Sequence, residues 1–158
     1  MHVDFDKVID FLRALEHERV EYVLVGGLAL NLVGVTRATE DVVIVLRLTK
    51  ENVERLRNAL RRVWKDSSID EIRYEDLAGD FPAITYGPPD DAFGIDIVTR
   101  FGHAFRYEDL NAETREFEGI KVHVATPRTL YEMKKSTVRP RDRADAAELA
   151  ERYGLSED

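Results

Sequence analysis

Residues 41–46, DVVIVL, are apolar on both faces once Asp41 is passed. A strand with one wet face alternates apolar and polar residues, whereas an unbroken β-branched run predicts a central strand covered on both sides. Helices must supply that cover, so the segment points to a layered α/β domain. The rest of the chain carries the matching pieces. YVLV, 22–25, reads as a short buried strand, and GGLALNLVG, 26–34, reads as a tight strand-to-helix turn followed by a short helix.

Asp4 is a candidate cap for a first helix with Val8, Ile9, Leu12 and Leu15 at helical spacing. Thr49 is placed to cap another helix, whose inner stripe is Val53, Leu56, Leu60, Val63 and Trp64. FPAITY, 81–86, and AFGIDIVT, 92–99, predict two strands around the turn GPPDD, and REFEGIKVHVA, 115–125, predicts a hairpin turning near Glu118 and Gly119. Thr126 before Pro127 marks a helix start that runs towards Ser136. Pro140 opens a final helix with Ala146, Leu149, Ala150 and Tyr153 on one face, and Gly154 ends it. Residues 65–80 are polar and receive no assignment. The expected fold class is α/β, a small mixed β-sheet flanked by helices, with two helices at the C-terminus.

At 158 residues the chain suits a single domain, 1–158, with a sizeable core. There is no cysteine, which removes disulfides, zinc–thiolate sites and thiol nucleophiles. No apolar run approaches the roughly 20 residues that span a bilayer, and MHVDFDKVID lacks the order of a signal peptide. The expected location is cytoplasmic, with no membrane partner. A net charge of −8 disfavours generic duplex-DNA binding, while KKSTVRPRDR, 134–143, offers one local basic patch.

Asp41 and Asp96 are the informative pair, because each is one acid in an otherwise apolar strand. A buried carboxylate needs a cation, a donor cluster or a metal. Neighbouring strands would bring the two within reach of one divalent ion, and Mg²⁺ accepts few protein carboxylates when phosphates supply the remaining ligands. The alternative is structural: Asp41 caps a turn, and Asp96 pairs with Arg37 or Arg100. Gly26-Gly27 gives a backbone that can approach a phosphate or simply a turn that needs little space.

VEYVLVGGLALNLVGVTRATED, followed further on by GIDIV, resembles the nucleotidyltransferase superfamily, in particular its minimal and abortive-infection toxin types. Gly26 and Gly27 match the family's glycines. Arg37, Thr39 and Asp41 match its Arg-x-Thr-x-Asp stretch, and Asp96 matches its third acid. Lys134 and Arg141-Asp142, in TPRTLYEMKK and RPRDRADAAEL, resemble the family's closing helices. The likeness covers about residues 5 to 152. It implies a nucleotidyltransferase fold and Mg²⁺-dependent transfer of a nucleoside monophosphate from an NTP to a hydroxyl of a protein, an RNA end such as a tRNA, or a small molecule. It implies Asp41 and Asp96 as catalytic metal ligands, and Gly26, Gly27, Arg37, Thr39 and Lys134 as nucleotide contacts. A cognate antitoxin or toxin is the implied macromolecular partner.

Val43 departs from that pattern. The family's second acid belongs there, two residues after Asp41 on the same face, and valine has no lone pair to offer. Glu40 points the other way in a regular strand. Three readings follow: a degenerate member that binds nucleotide or a partner without turnover, a mutated form of an active enzyme, or a slow enzyme using one metal and an acid from elsewhere in the chain. A non-catalytic binding module, such as a toxin–antitoxin component, is the alternative function. The remaining candidates read as structural or solvated. They are His17 and His123 on the surface, His103 near the Asp96 strand, and Tyr107 and Tyr131, which either stack on a base or join the core.

Overall fold

The computed structural model describes residues 5–36, 41–79, 83–89, 93–101, 105–135 and 140–155. Helix α1 (Phe5–His17) buries Val8, Leu12 and Leu15 as its spacing predicts; Asp4, its candidate cap, lies outside the described residues. Strand β1 (Tyr22–Val25) runs into α2 (Gly26–Leu32). Strand β2 is Asp41–Leu46 and helix α3 is Lys50–Val63, where the Thr49 side chain accepts a hydrogen bond from the Asn52 N–H.

Strands β3 (Ala83–Tyr86) and β4 (Gly94–Val98) form the expected antiparallel pair; part of the GPPDD stretch expected to turn between them lies outside the described residues. Strands β5 (Arg100–Phe101) and β6 (Phe105–Arg106) make a small separate ladder that the sequence reading did not include. Strands β7 (Ala112–Phe117) and β8 (Ile120–Ala125) are joined through Glu118 and Gly119, with φ of 51° and 77°. Two consecutive left-handed residues match the right-handed twist of a hairpin. The polar stretch 65–80, which carries no periodic signal, contains a 3₁₀ turn at Ser67–Glu71 and a one-turn helix, α4 (Tyr74–Leu77). Their buried Ile69, Ile72 and Leu77 are too few and too irregularly spaced to give a periodic signal.

The main sheet has the order β3-β4-β2-β1-β8-β7. Strand β2 pairs parallel with β4 and antiparallel with β1, while β1 pairs parallel with β8. Strand β2 is therefore central, as its apolar character requires. Residues opposite one another in a ladder share a face, so Val42, Ile44, Ile95 and Ile97 project together, and all four are fully buried. On that side Trp64 meets Phe11 of α1 at 6.2 Å, Tyr86 of β3 at 6.0 Å and Phe93 at 6.0 Å. The other face carries α2 over β1 and β2.

The C-terminal helices are α5 (Pro127–Lys134), capped by Thr126, and α6 (Pro140–Tyr153), closed by Gly154 at φ 65°. Ser136, towards which α5 was expected to run, lies outside the described residues. Helix α5 packs on α2, β8 and α6, and the Tyr153 hydroxyl donates to the Val33 carbonyl at the end of α2. No helix among the described residues is long and apolar enough to cross a membrane.

Tyr22 lies in this core at 2% exposure, and its hydroxyl accepts a hydrogen bond from the His123 N–H at 3.3 Å. Burial pushes its phenol up from 10.0 to about 12. A neutral form favoured by folding leaves stability intact below pH 10. Between pH 10 and about 12 the unfolded chain ionises first and stability falls, by about 1.4 kcal/mol per pH unit. Urea titrations across that window are expected to show this slope, and to lose this tyrosine's share in Tyr22→Phe.

Candidate active site

The ladder between β2 and β4 sets Asp41 opposite Gly94 and Val43 opposite Asp96. The ladder between β3 and β4 sets Thr85 opposite Asp96, and the one between β1 and β2 sets Val25 opposite Val43. Asp41, Val43, Asp96 and Thr85 therefore project from the same face of three adjacent strands. The apolar residues between them fill the core behind. That alternation explains how an acid can sit in each strand without entering the core.

The acids are less buried than their apolar neighbours suggested: Asp41 is exposed and Asp96 is half-buried. Each carboxylate has one oxygen engaged. Asp41 Oδ1 accepts the Gly94 N–H at 3.1 Å, a bond between strands and not the turn cap considered from sequence. Asp96 Oδ1 accepts the Thr85 hydroxyl at 2.8 Å. Arg37, the other partner considered for Asp96, lies outside the described residues, as do Thr39, Glu40 and His103. Arg100 sits in the small β5–β6 ladder opposite Arg106.

Gly26 is the hinge of the β1–α2 turn. Its φ is 77°, and a Cβ built there would lie 3.1 Å from Val43 Cγ2. The turn therefore needs glycine for its backbone angle and for its close approach to β2. Val43, which Gly26 approaches, lies opposite Asp96 in the next strand and two residues after Asp41 in its own. Val25, the residue before the helix, makes no side-chain cap to it.

Lys134 stands at the end of α5 with its ammonium 3.1 Å from Asp142 Oδ1 and 3.3 Å from Asp145 Oδ2. It ties α5 to α6 through two acids, the second of them 6% exposed. Arg141 and Arg143 of the basic patch are exposed. Tyr131 is core, His17 and His123 are on the surface, and Tyr107 is half-buried with its phenol pushed up, mainly by burial.

The donor chemistry on this face is hard oxygen from two carboxylates. It fits one divalent ion of the Mg²⁺ kind, completed by water and phosphate oxygens. It does not supply a third carboxylate for a pair of ions, because the place beside Asp96 holds the methyl groups of Val43. Among the described residues there is no group of three or more His, Cys, Asp or Glu side chains arranged to hold a metal. Thr85 and Gly94, which fix the two carboxylates, were missed from sequence. The usable signal was the pairing of AITY with GIDIV across GPPDD, which places Thr85 beside Asp96 once the register is known.

Solved structures with this fold include the lincosamide antibiotic adenylyltransferase LnuA in its lincomycin-bound form, 15% identical, covering 94% of this chain and 98% of that one at a TM-score of 0.56. A nucleotidyltransferase-like antigenic protein from Paracoccidioides brasiliensis is 15% identical over 95% of this chain and 78% of that one, at 0.55. ANT(2")-Ia, in complex with adenylyl-2"-tobramycin, is 14% identical over 95% and 88%, at 0.54. Identities this low speak for the fold alone. No curated protein matches the sequence. The family model described as "Nucleotidyl transferase AbiEii toxin, Type IV TA system" matches residues 10–157. The chain therefore belongs to the AbiEii nucleotidyl transferase toxin family, as the Gly-Gly turn and the Arg-x-Thr-x-Asp stretch had implied.

Proposed function

We propose that the protein binds a nucleoside triphosphate with one divalent ion at the face formed by β1, β2 and β4. Its chemistry is transfer of the nucleoside monophosphate to a hydroxyl acceptor, held to a low rate by Val43. The observation that carries this is the register: Asp41 and Asp96 share a face, and Val43 lies beside Asp96 where the family pattern has an acid. In this reading Asp41 and Asp96 hold Mg²⁺, which when bound supplies positive charge to the phosphates. The Gly26-Gly27 backbone makes room for the β- and γ-phosphates. Arg37, Thr39 and Lys134 are the further nucleotide contacts. Lys134 serves in that role only by sharing an ammonium already held by Asp142 and Asp145. The catalytic unit is taken as the whole of residues 1–158.

Acceptors fall into three classes: protein, RNA end and small molecule. The family's toxin–antitoxin setting supports a cognate antitoxin as partner. Val43 favours a second reading, a binding module of such a pair that holds nucleotide or partner without turnover. Thermal unfolding with each NTP and Mg²⁺ tests the site. At a hundred times the dissociation constant, binding adds about 2.7 kcal/mol to stability. At least one NTP is expected to stabilise the wild type in the presence of Mg²⁺ and to have no effect on Asp96→Asn. A flat response to all four NTPs removes the nucleotide-binding reading.

A further inference from the structure

We infer that Thr85 is a positioning residue for the divalent ion, acting through Asp96; this rests on the reading of Asp41 and Asp96 as the ion's ligands. Three observations converge on it. The Thr85 hydroxyl donates to Asp96 Oδ1 at 2.8 Å, which commits one carboxylate oxygen and leaves Oδ2 outside that bond. The Thr85 methyl sits over the glycine notch of β4, where a Cβ added to Gly94 would lie 3.5 Å from Thr85 Cγ2. The same notch holds Asp41, whose Oδ1 would be 3.2 Å from that Cβ and accepts the Gly94 N–H.

The consequence is a coupled support for both acids. Gly94 leaves room for the Asp41 carboxylate on one side and for the Thr85 methyl on the other. With its methyl over Gly94, Thr85 aims its hydroxyl at Asp96. A β-branched side chain has few χ1 options in a strand, so this arrangement costs little to maintain. Each acid is left with one oxygen, Oδ2, free of the protein bonds named above. The protein therefore presents one oxygen from each of two strands, a sparse donor pair whose affinity depends on how well each carboxylate is aimed. Partners that orient metal ligands are worth about 10- to 100-fold in affinity.

The test is a Mn²⁺ titration followed by water-proton relaxation on the full chain, with no nucleotide and no turnover required. Thr85→Val keeps the shape and the strand preference and removes only the donor; it is expected to weaken Mn²⁺ binding about tenfold. Thr85→Ala carries the same expectation should the valine variant not fold. Thr85→Ser restores the donor and is expected to bind within about twofold of wild type, which a purely steric role would not produce. Asp96→Asn is expected to abolish saturable binding. Unchanged affinity in the folded Val or Ala variant, with Asp96→Asn impaired, overturns the role of Thr85 and leaves the ion site standing. Unchanged affinity in Asp96→Asn, or no saturable Mn²⁺ binding by the wild type, overturns the ion site itself and the inference with it.

Discussion

Val43→Asp is expected to raise nucleotidyl transfer by about 10²-fold or more over the chain as it stands, and Val43→Asn is expected to leave it unchanged. Electrostatic stabilisation of developing charge is the largest contribution in such sites, and one missing group costs on that order. The geometry favours the substitution. Val43 is half-buried, lies beside Asp96, and faces the same side as Asp41. Aspartate removes the branch at Cβ and carries its carboxylate one bond further out, which lightens the crowding against Gly26 and points the oxygens away from that turn's close approach to Cβ and Cγ2. Without metal, a third negative charge on this face costs roughly 1 kcal/mol in a water-like surrounding. Added Mg²⁺ should reverse that loss. The measurement is release of pyrophosphate and labelling of acceptor from all four NTPs, beside thermal unfolding with and without Mg²⁺. A folded Val43→Asp protein that gains Mg²⁺-dependent stability but no transfer would favour the binding-module reading. One that gains neither would remove the acid-seat interpretation altogether.

The second large effect concerns stability. Lys134→Met is expected to destabilise the fold by about 3 kcal/mol, because it removes a cation set between two carboxylates of low exposure. Lys134, Asp142 and Asp145 have side chains 16%, 15% and 9% exposed, and their contacts join α5 to α6. Methionine keeps the length and packing of the lysine stem, so the loss reports on charge. Asp145→Asn in the same background should recover part of it by removing one of the two negative charges that faced Lys134. Urea unfolding decides the matter. A change below about 0.5 kcal/mol, accompanied by weaker NTP binding, would mean that Lys134 serves phosphate and contributes little to the helix pair.

The reach of the sequence differed from element to element. DVVIVL had to be a covered central strand, because no other setting removes so many β-branched side chains from water. Thr126-Pro127, Thr49 and the Glu118-Gly119 turn were legible because a cap or a left-handed pair acts over three or four residues. Residues 65–80 were not, since Ile69, Ile72 and Leu77 dock singly and without a period. Asn52 was invisible as well. It sits inside α3 at 1% exposure and bonds the Glu21 backbone N–H and carbonyl and the Arg47 carbonyl, joining the entrance of β1 to the exit of β2. Nothing in its neighbourhood of sequence announces those partners.

For the candidate site the division is similar. By itself the sequence determined that Asp41 and Asp96 stand alone in apolar strands, that an aliphatic residue, Val43, follows two positions after Asp41, and that Gly-Gly follows the first strand. Those are local facts of residue type and spacing, and the family pattern attaches to them directly. Only the tertiary structure decided that β4 lies parallel beside β2 in the register that turns both acids to one face. It also decided that Thr85 and Gly94 hold one oxygen of each, and that the Lys134 ammonium is shared by α6. These depend on pairings between segments far apart in the chain, where a shift of one residue would send a carboxylate into the core. That choice is made by the summed burial of Val42, Ile44, Ile95 and Ile97 on the opposite face, which no single segment carries.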